Sequence, residues 1–132
     1  MMKHTYPVVL LLLAVLLVAC NSGQTSTNLK VDMVEFMFEP SDLSIPAGQE
    51  ITLELVNKGA IEHDFVILKK GSSAQDSFDH ATQQADILFE ARLAPGQSGS
   101  FKFTIAEAGE YQVICSIPGH LAAGMKGKLI VK

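Results

Sequence analysis

The chain has 132 residues, with 10 Lys and Arg against 14 Asp and Glu, for a formal net charge of −4 at pH 7. No basic cluster is available to neutralise phosphates, which argues against a nucleic-acid partner. Two cysteines are too few for a disulfide-stapled framework, but the length suffices to bury one hydrophobic core.

The N-terminus opens with Lys3 and an unbroken apolar run from Val8 to Ala19. The run is short for a bilayer span and reads as a secretory signal over residues 1–19. Its end, Leu17-Val18-Ala19-Cys20, resembles the lipobox of bacterial lipoproteins. That resemblance implies cleavage before Cys20, acylation of its thiol and anchoring on the extracytoplasmic face of a bacterial membrane. The alternative is a plain signal peptide in which Cys20 is incidental. With Cys20 carrying lipid, Cys115 is left without a partner in the same chain. It is then free, intermolecular or metal-bound.

Residues 20–28 follow as a tether, because Asn21 to Asn28 carries no apolar side chain. From Leu29 to Lys132 the pattern is that of one all-β domain. Leu29, Val31 and Met33 alternate on one face; Val34, Phe36 and Phe38 continue in the other phase, so a bulge or break falls between Met33 and Val34. Leu43 and Ile45 form a short strand before Pro46-Ala47-Gly48. Ile51, Leu53 and Leu55 form another, ended by the turn Asn57-Lys58-Gly59. His63 to Leu68 is an apolar strand. Ser72 to Ala85 shifts to three- and four-residue steps at Phe78, Ala81 and Ala85, which predicts a short helix with Ser73 and Asp76 at its start. Strands resume at Ile87–Leu93, at Phe101–Ile105, at Tyr111–Cys115 and at Lys126–Val131, with Tyr111 at a strand corner. Short strands with regular turn signals predict an antiparallel β-sandwich with one short helix in a long loop.

The chemistry concentrates in Cys115-Ser-Ile-Pro-Gly-His120-Leu-Ala-Ala-Gly-Met125. It offers a thiol, an imidazole and a thioether on one strand–loop–strand turn. Pro118-Gly119 and Gly124 supply bends that return His120 and Met125 toward Cys115. His63 adds a second imidazole from a distant strand. Two His, one Cys and a weak axial Met form a blue-copper ligand set. His80, among Asp76, Asp79 and Gln83, reads as a solvated surface residue. Zinc suits Cys and His donors, but the thioether argues for copper.

The pattern Cys-Ser-x-Pro-Gly-His-x-x-x-Gly-Met-x-Gly resembles the C-terminal signature of the cupredoxins, with the loop spacing of auracyanin and rusticyanin. Asn57-Lys-Gly-Ala-Ile-Glu-His63-Asp-Phe resembles their first-histidine segment. The resemblance spans Val34 to Val131. It implies an eight-stranded Greek-key sandwich that binds one copper ion through His63, Cys115, His120 and Met125. The implied function is a monomeric one-electron carrier between larger redox proteins, not an enzyme. It also implies a docking patch for those partners at Ile117, Pro118, Leu121, Ala122 and Ala123. Many members carry Asn after the first His, whereas here Asp64 takes that place. A carboxylate there is expected to accept from the Ser116 hydroxyl or backbone and to lower the reduction potential. The competing reading is an extracytoplasmic copper chaperone or store using the same ligands. A binuclear copper centre would need a cysteine where Gly119 stands, and hydrolysis by Cys115 would need an oxyanion-binding loop that is not recognisable.

Overall fold

The computed structural model describes residues 23–132. The expected signal segment 1–19, the expected lipidation position Cys20 and the first part of the expected tether lie outside the described residues.

Nine strands form among the described residues: β1 (Asn28–Val34), β2 (Met37–Glu39), β3 (Asp42–Ile45), β4 (Glu50–Asn57), β5 (His63–Leu68), β6 (Ile87–Leu93), β7 (Ser98–Thr104), β8 (Gly109–Ile114) and β9 (Lys126–Val131). They make a four-stranded sheet in the order β2-β1-β4-β7 and a five-stranded sheet in the order β3-β9-β8-β5-β6. The alternation along β1 and β4 places Val31, Met33, Ile51, Leu53 and Leu55 inward. There they meet Phe65, Ile67, Val113 and Leu129 of the second sheet in the principal core. Each such side chain contributes about 1.5–3 kcal/mol by leaving water.

Two expectations about the sheets change. The phase slip after Met33 is neither a bulge nor a break within one strand. It is a two-residue turn at Glu35 and Phe36, and β2 folds back on β1 with Val34 opposite Met37. Phe36 therefore sits exposed on the turn while Phe38 is buried, which accounts for the ninth strand. The sandwich is also not purely antiparallel, since β1 runs parallel to β4 and β3 parallel to β9. After β2 the chain crosses at Pro40-Ser41 to the other sheet, then returns as β4 beside β1. Such a crossover is what a parallel pair requires.

Strand β5 is buried along its whole length. Phe65 and Ile67 face the principal core; Val66 and Leu68 face outward into a second cluster with Ala74, Phe78, Ile114 and Leu121. The long connection after β5 covers that outer face, which explains the unbroken apolar run of this strand. Its helix, α1 (His80–Gln83), is shorter than predicted and continues as a 3-10 turn over Gln84–Asp86. Asp79, rather than Ser73 or Asp76, caps it by accepting from the Ala81 N–H.

The described N-terminal segment and the C-terminus share one end of the sandwich. Lys132 Nζ donates to the Gly23 carbonyl at 3.0 Å, and the Ser26 N–H donates to the Ser44 carbonyl at 3.0 Å. At the opposite end lie the β1–β2 turn, the β4–β5 loop and the β8–β9 loop. Tyr111 closes a strand corner by donating its hydroxyl to the Glu107 carbonyl at 2.7 Å.

Candidate metal centre

Cys115 follows the last residue of β8, so the sheet ladder sets its position. The loop after it is closed by its own backbone. The His120 N–H donates to the Ile117 carbonyl and the Met125 N–H to the His120 carbonyl, both at 3.0 Å. The Cys115 N–H in turn donates to the Met125 carbonyl at 3.0 Å. Gly119 and Gly124 adopt φ of 86° and 101°, a region that side chains other than glycine's disfavour. The predicted bends are therefore where the sequence put them.

His63 enters from the first residue of β5. The loop before it is tied by Asn57, which is fully buried. The Asn57 Nδ2 donates to the carbonyls of Ile61 and Leu93, each at 2.9 Å, and its Oδ1 accepts the Gly59 N–H at 2.9 Å. The sequence marks Asn57 as a turn residue and as the start of the first-histidine segment, but not as the brace of that loop.

The two segments converge. His63 Nδ1 lies 3.2 Å from His120 Nδ1, and Cys115 Sγ lies 3.3 Å from the same nitrogen. One donor atom from each of these buried residues falls within 4.8 Å of the others. Bonds of about 2.0–2.3 Å to imidazole nitrogen and thiolate sulfur need donors spaced roughly 3–4 Å apart, so the triangle fits one ion. Met125 is fully buried in the same core cluster as Cys115.

Burial sets the resting protonation of the donors. Burial pushes the Cys115 thiol up to about 12, so without a cation it stays protonated and inert near neutral pH. Burial, and then the neighbouring His63, hold His120 below the usual imidazole value, which keeps a lone pair available. Binding an ion here displaces the thiol proton.

Asp64 is fully buried behind the ligands. Its Oδ1 accepts the Ser116 N–H at 2.6 Å and its Oδ2 accepts the Ser116 hydroxyl at 2.5 Å. Both of the partners expected from sequence are thus present, and they bind the His63 segment to the Cys115 segment. Arg92 adds an ion pair, Nη2 to Asp64 Oδ2 at 3.1 Å. Because the Ser116 hydroxyl donates to Asp64, it accepts from His80 Nε2 at 2.6 Å. His80 is therefore half-buried in this network rather than solvated. Asp64, His80 and Glu90 also lie within metal-binding reach of one another. Arg92, 3.6 Å from Glu90 Oε1 as well as 3.1 Å from Asp64, already supplies the positive charge there.

The surface differs in one respect from expectation. Pro118, Ala122 and Ala123 are exposed and Ile117 is half-buried, but Leu121 is only 3% exposed. It points inward to the second core cluster, so it is not part of a docking patch. The exposed large apolar side chains among the described residues are Phe36, Met37 and Ile61, at 37%, 48% and 41%. Phe36 sets its ring edge-on to His120, centroids 4.9 Å apart, and 6.4 Å from His63. No local pattern in the sequence links the β1–β2 turn to this site.

Residues 25–132 match the copper binding proteins of the plastocyanin/azurin family. Among curated relatives, the copper-resistant cuproprotein CopI of Rubrivivax gelatinosus is 30% identical over 121 residues, covering 85% of this chain and 70% of that protein. Auracyanin-B of Chloroflexus aurantiacus is 35% identical over 109 residues, covering 71% of this chain; the chain spans less than half, 46%, of that relative. A crystal structure of auracyanin from Roseiflexus castenholzii superposes with a TM-score of 0.70 at 27% identity, covering 83% of this chain and 99% of that one.

Proposed function

The chain belongs to the plastocyanin/azurin family of copper-binding proteins, and from that premise we propose that it is a one-electron carrier held at a membrane surface. The cofactor is one copper ion per chain. The observation that carries the reading is the buried triangle of His63, His120 and Cys115 from two remote segments, backed by Met125.

In this reading the two Nδ1 atoms and the Cys115 thiolate would hold the copper ion, with Met125 as a further, weaker sulfur donor. Bound copper supplies a reversible one-electron couple. The protein's part is to keep the donors still in both states. The self-closed 115–125 loop does this for Cys115, His120 and Met125, and the Asn57 and Asp64 hydrogen bonds do it for His63. Burial excludes water from the donors. Phe36, Met37 and Ile61, with Pro118, Ala122 and Ala123, offer redox partners an apolar face beside the histidines. The signal at 1–19 and acylation of Cys20 would place the protein outside the cytoplasm on a lipid anchor.

Adding Cu(II) is expected to produce an intense visible absorption that Cys115→Ser abolishes while the fold persists. Absence of the band in the unmodified protein would reject the assignment.

One relative favours a second reading. The CopI protein is named for copper resistance, which fits a copper store or chaperone using the same ligands. Stopped-flow kinetics separate the two: rapid electron exchange with slow copper loss supports a carrier, the reverse supports storage.

A further inference from the structure

His63 meets the donor triangle through Nδ1, which turns its other ring nitrogen away from the site. That Nε2 is buried and makes no hydrogen bond. The Glu35 carboxylate faces it, with Oε1 3.5 Å away. Glu35 is itself held in place: the same Oε1 accepts the Ala60 N–H at 2.6 Å and the Ile61 N–H at 3.2 Å. Gly59 closes the remaining side, where a β-carbon would collide with both the carboxylate and Nε2. The backbone just upstream of His63 thus wraps around one carboxylate aimed at the back of a ligand, and that carboxylate comes from the β1–β2 turn, remote in sequence.

A buried donor with no acceptor costs free energy. A metal-ligating imidazole fixes its tautomer and ring orientation by giving its other N–H to a carboxylate, carbonyl or water. We propose that Glu35 is the positioning residue of His63: with the ion bound, its carboxylate takes the Nε2–H, holds the Nδ1 lone pair on the metal and favours the divalent ion over the monovalent one. The inference rests on the copper-centre reading above. It makes the β1–β2 turn part of the metal centre, with Glu35 behind one histidine and Phe36 against the other.

The test compares Glu35→Ala and Glu35→Gln with Glu62→Gln in the copper-loaded protein. Glu62 is a nearby carboxylate whose ion pair is with Arg92, at 3.6 Å, so its variant controls for charge alone. Glu35→Ala is expected to weaken Cu(II) binding about ten- to hundredfold, with a smaller change for Cu(I). Each tenfold of that difference raises the reduction potential by about 59 mV. Glu35→Gln recovers part of the loss, because its amide oxygen still accepts, and Glu62→Gln changes neither affinity appreciably. In the diamagnetic Cu(I) protein, nitrogen NMR should show a slowly exchanging His63 Nε2–H that Glu35→Ala exposes to fast exchange. Equal effects of the Glu35 and Glu62 variants, or an unchanged Nε2–H exchange rate, overturn the proposal. Absence of a Cys115-dependent visible band in the unmodified protein overturns the copper-centre reading, and this inference with it.

Discussion

The two histidines of the site are held in different ways. His120 sits in an eleven-residue loop whose backbone hydrogen bonds begin and end within it, from Cys115 to Met125. His63 is placed by distant parts of the chain: the Asn57 amide braces its loop, Glu35 backs its ring, and Asp64 beside it bonds to Ser116 and Arg92. One half of the centre is therefore a local structure carried by the β8–β9 connection. The other half exists only when both sheets are assembled. Changes at Asn57 or Glu35 should alter His63 first, whereas Phe36 on the same turn as Glu35 reaches His120.

That contrast can be broken outright by adding or removing the ion that joins the halves. At free copper a thousandfold above the dissociation constant, binding to the native state alone stabilises the fold by about 4 kcal/mol. Denaturant unfolding with and without a copper chelator should show that difference, and Cys115→Ser should erase most of it. A smaller effect isolates the His63 half. Asn57→Ala removes three hydrogen bonds and strands the Ile61 and Leu93 carbonyls, at a cost of about 2–3 kcal/mol. Hydrogen exchange should then rise in residues 58–62 and stay unchanged in residues 115–125. The converse perturbation is Gly124→Ala, which strains a backbone at φ 101° by about 1–2 kcal/mol. Its exchange signature should fall in the 115–125 loop and spare residues 58–62. The finest cut is Asp64→Asn. It keeps an acceptor for Ser116 and removes a buried charge next to His63, so the fold should persist while the potential rises, by an amount on the order of 60 mV for a tenfold change in the Cu(II) to Cu(I) affinity ratio. An unchanged or lowered potential would refute the role given to that carboxylate.

The same division explains what could be read from the chain beforehand. The Cys115–Met125 loop was legible because its donors and its two bending glycines are contiguous, and β5 was legible because a strand buried on both faces has no polar phase. The turn at Glu35-Phe36 was misread because it lacks the Asn-Gly or Asp-Gly dipeptide that marks two-residue hairpin turns. Alternation alone does not separate a bulge from a reversal. The helix was placed too early because tertiary bonds outrank local period: the Gln112 side chain pairs with both the N–H and the carbonyl of Ala74 at 2.8 Å, which holds the segment before Asp79 out of helical form. Leu121 was placed in the docking patch by the family resemblance, and an irregular loop has no period that could have shown its inward direction. Glu35, His80 and Arg92 carry no motif of their own; only the packed sheets bring them to the donors.

Lys132 holds Gly23 at one end of the sandwich, and β1 runs from the following segment to the Glu35 turn, about 20 Å at strand rise. Gly23, the first described residue, therefore lies at the pole opposite the donors. A lipid at Cys20 would moor the domain by its base, like a buoy on a short line, and leave the histidine end facing away from the bilayer to meet whatever passes above it.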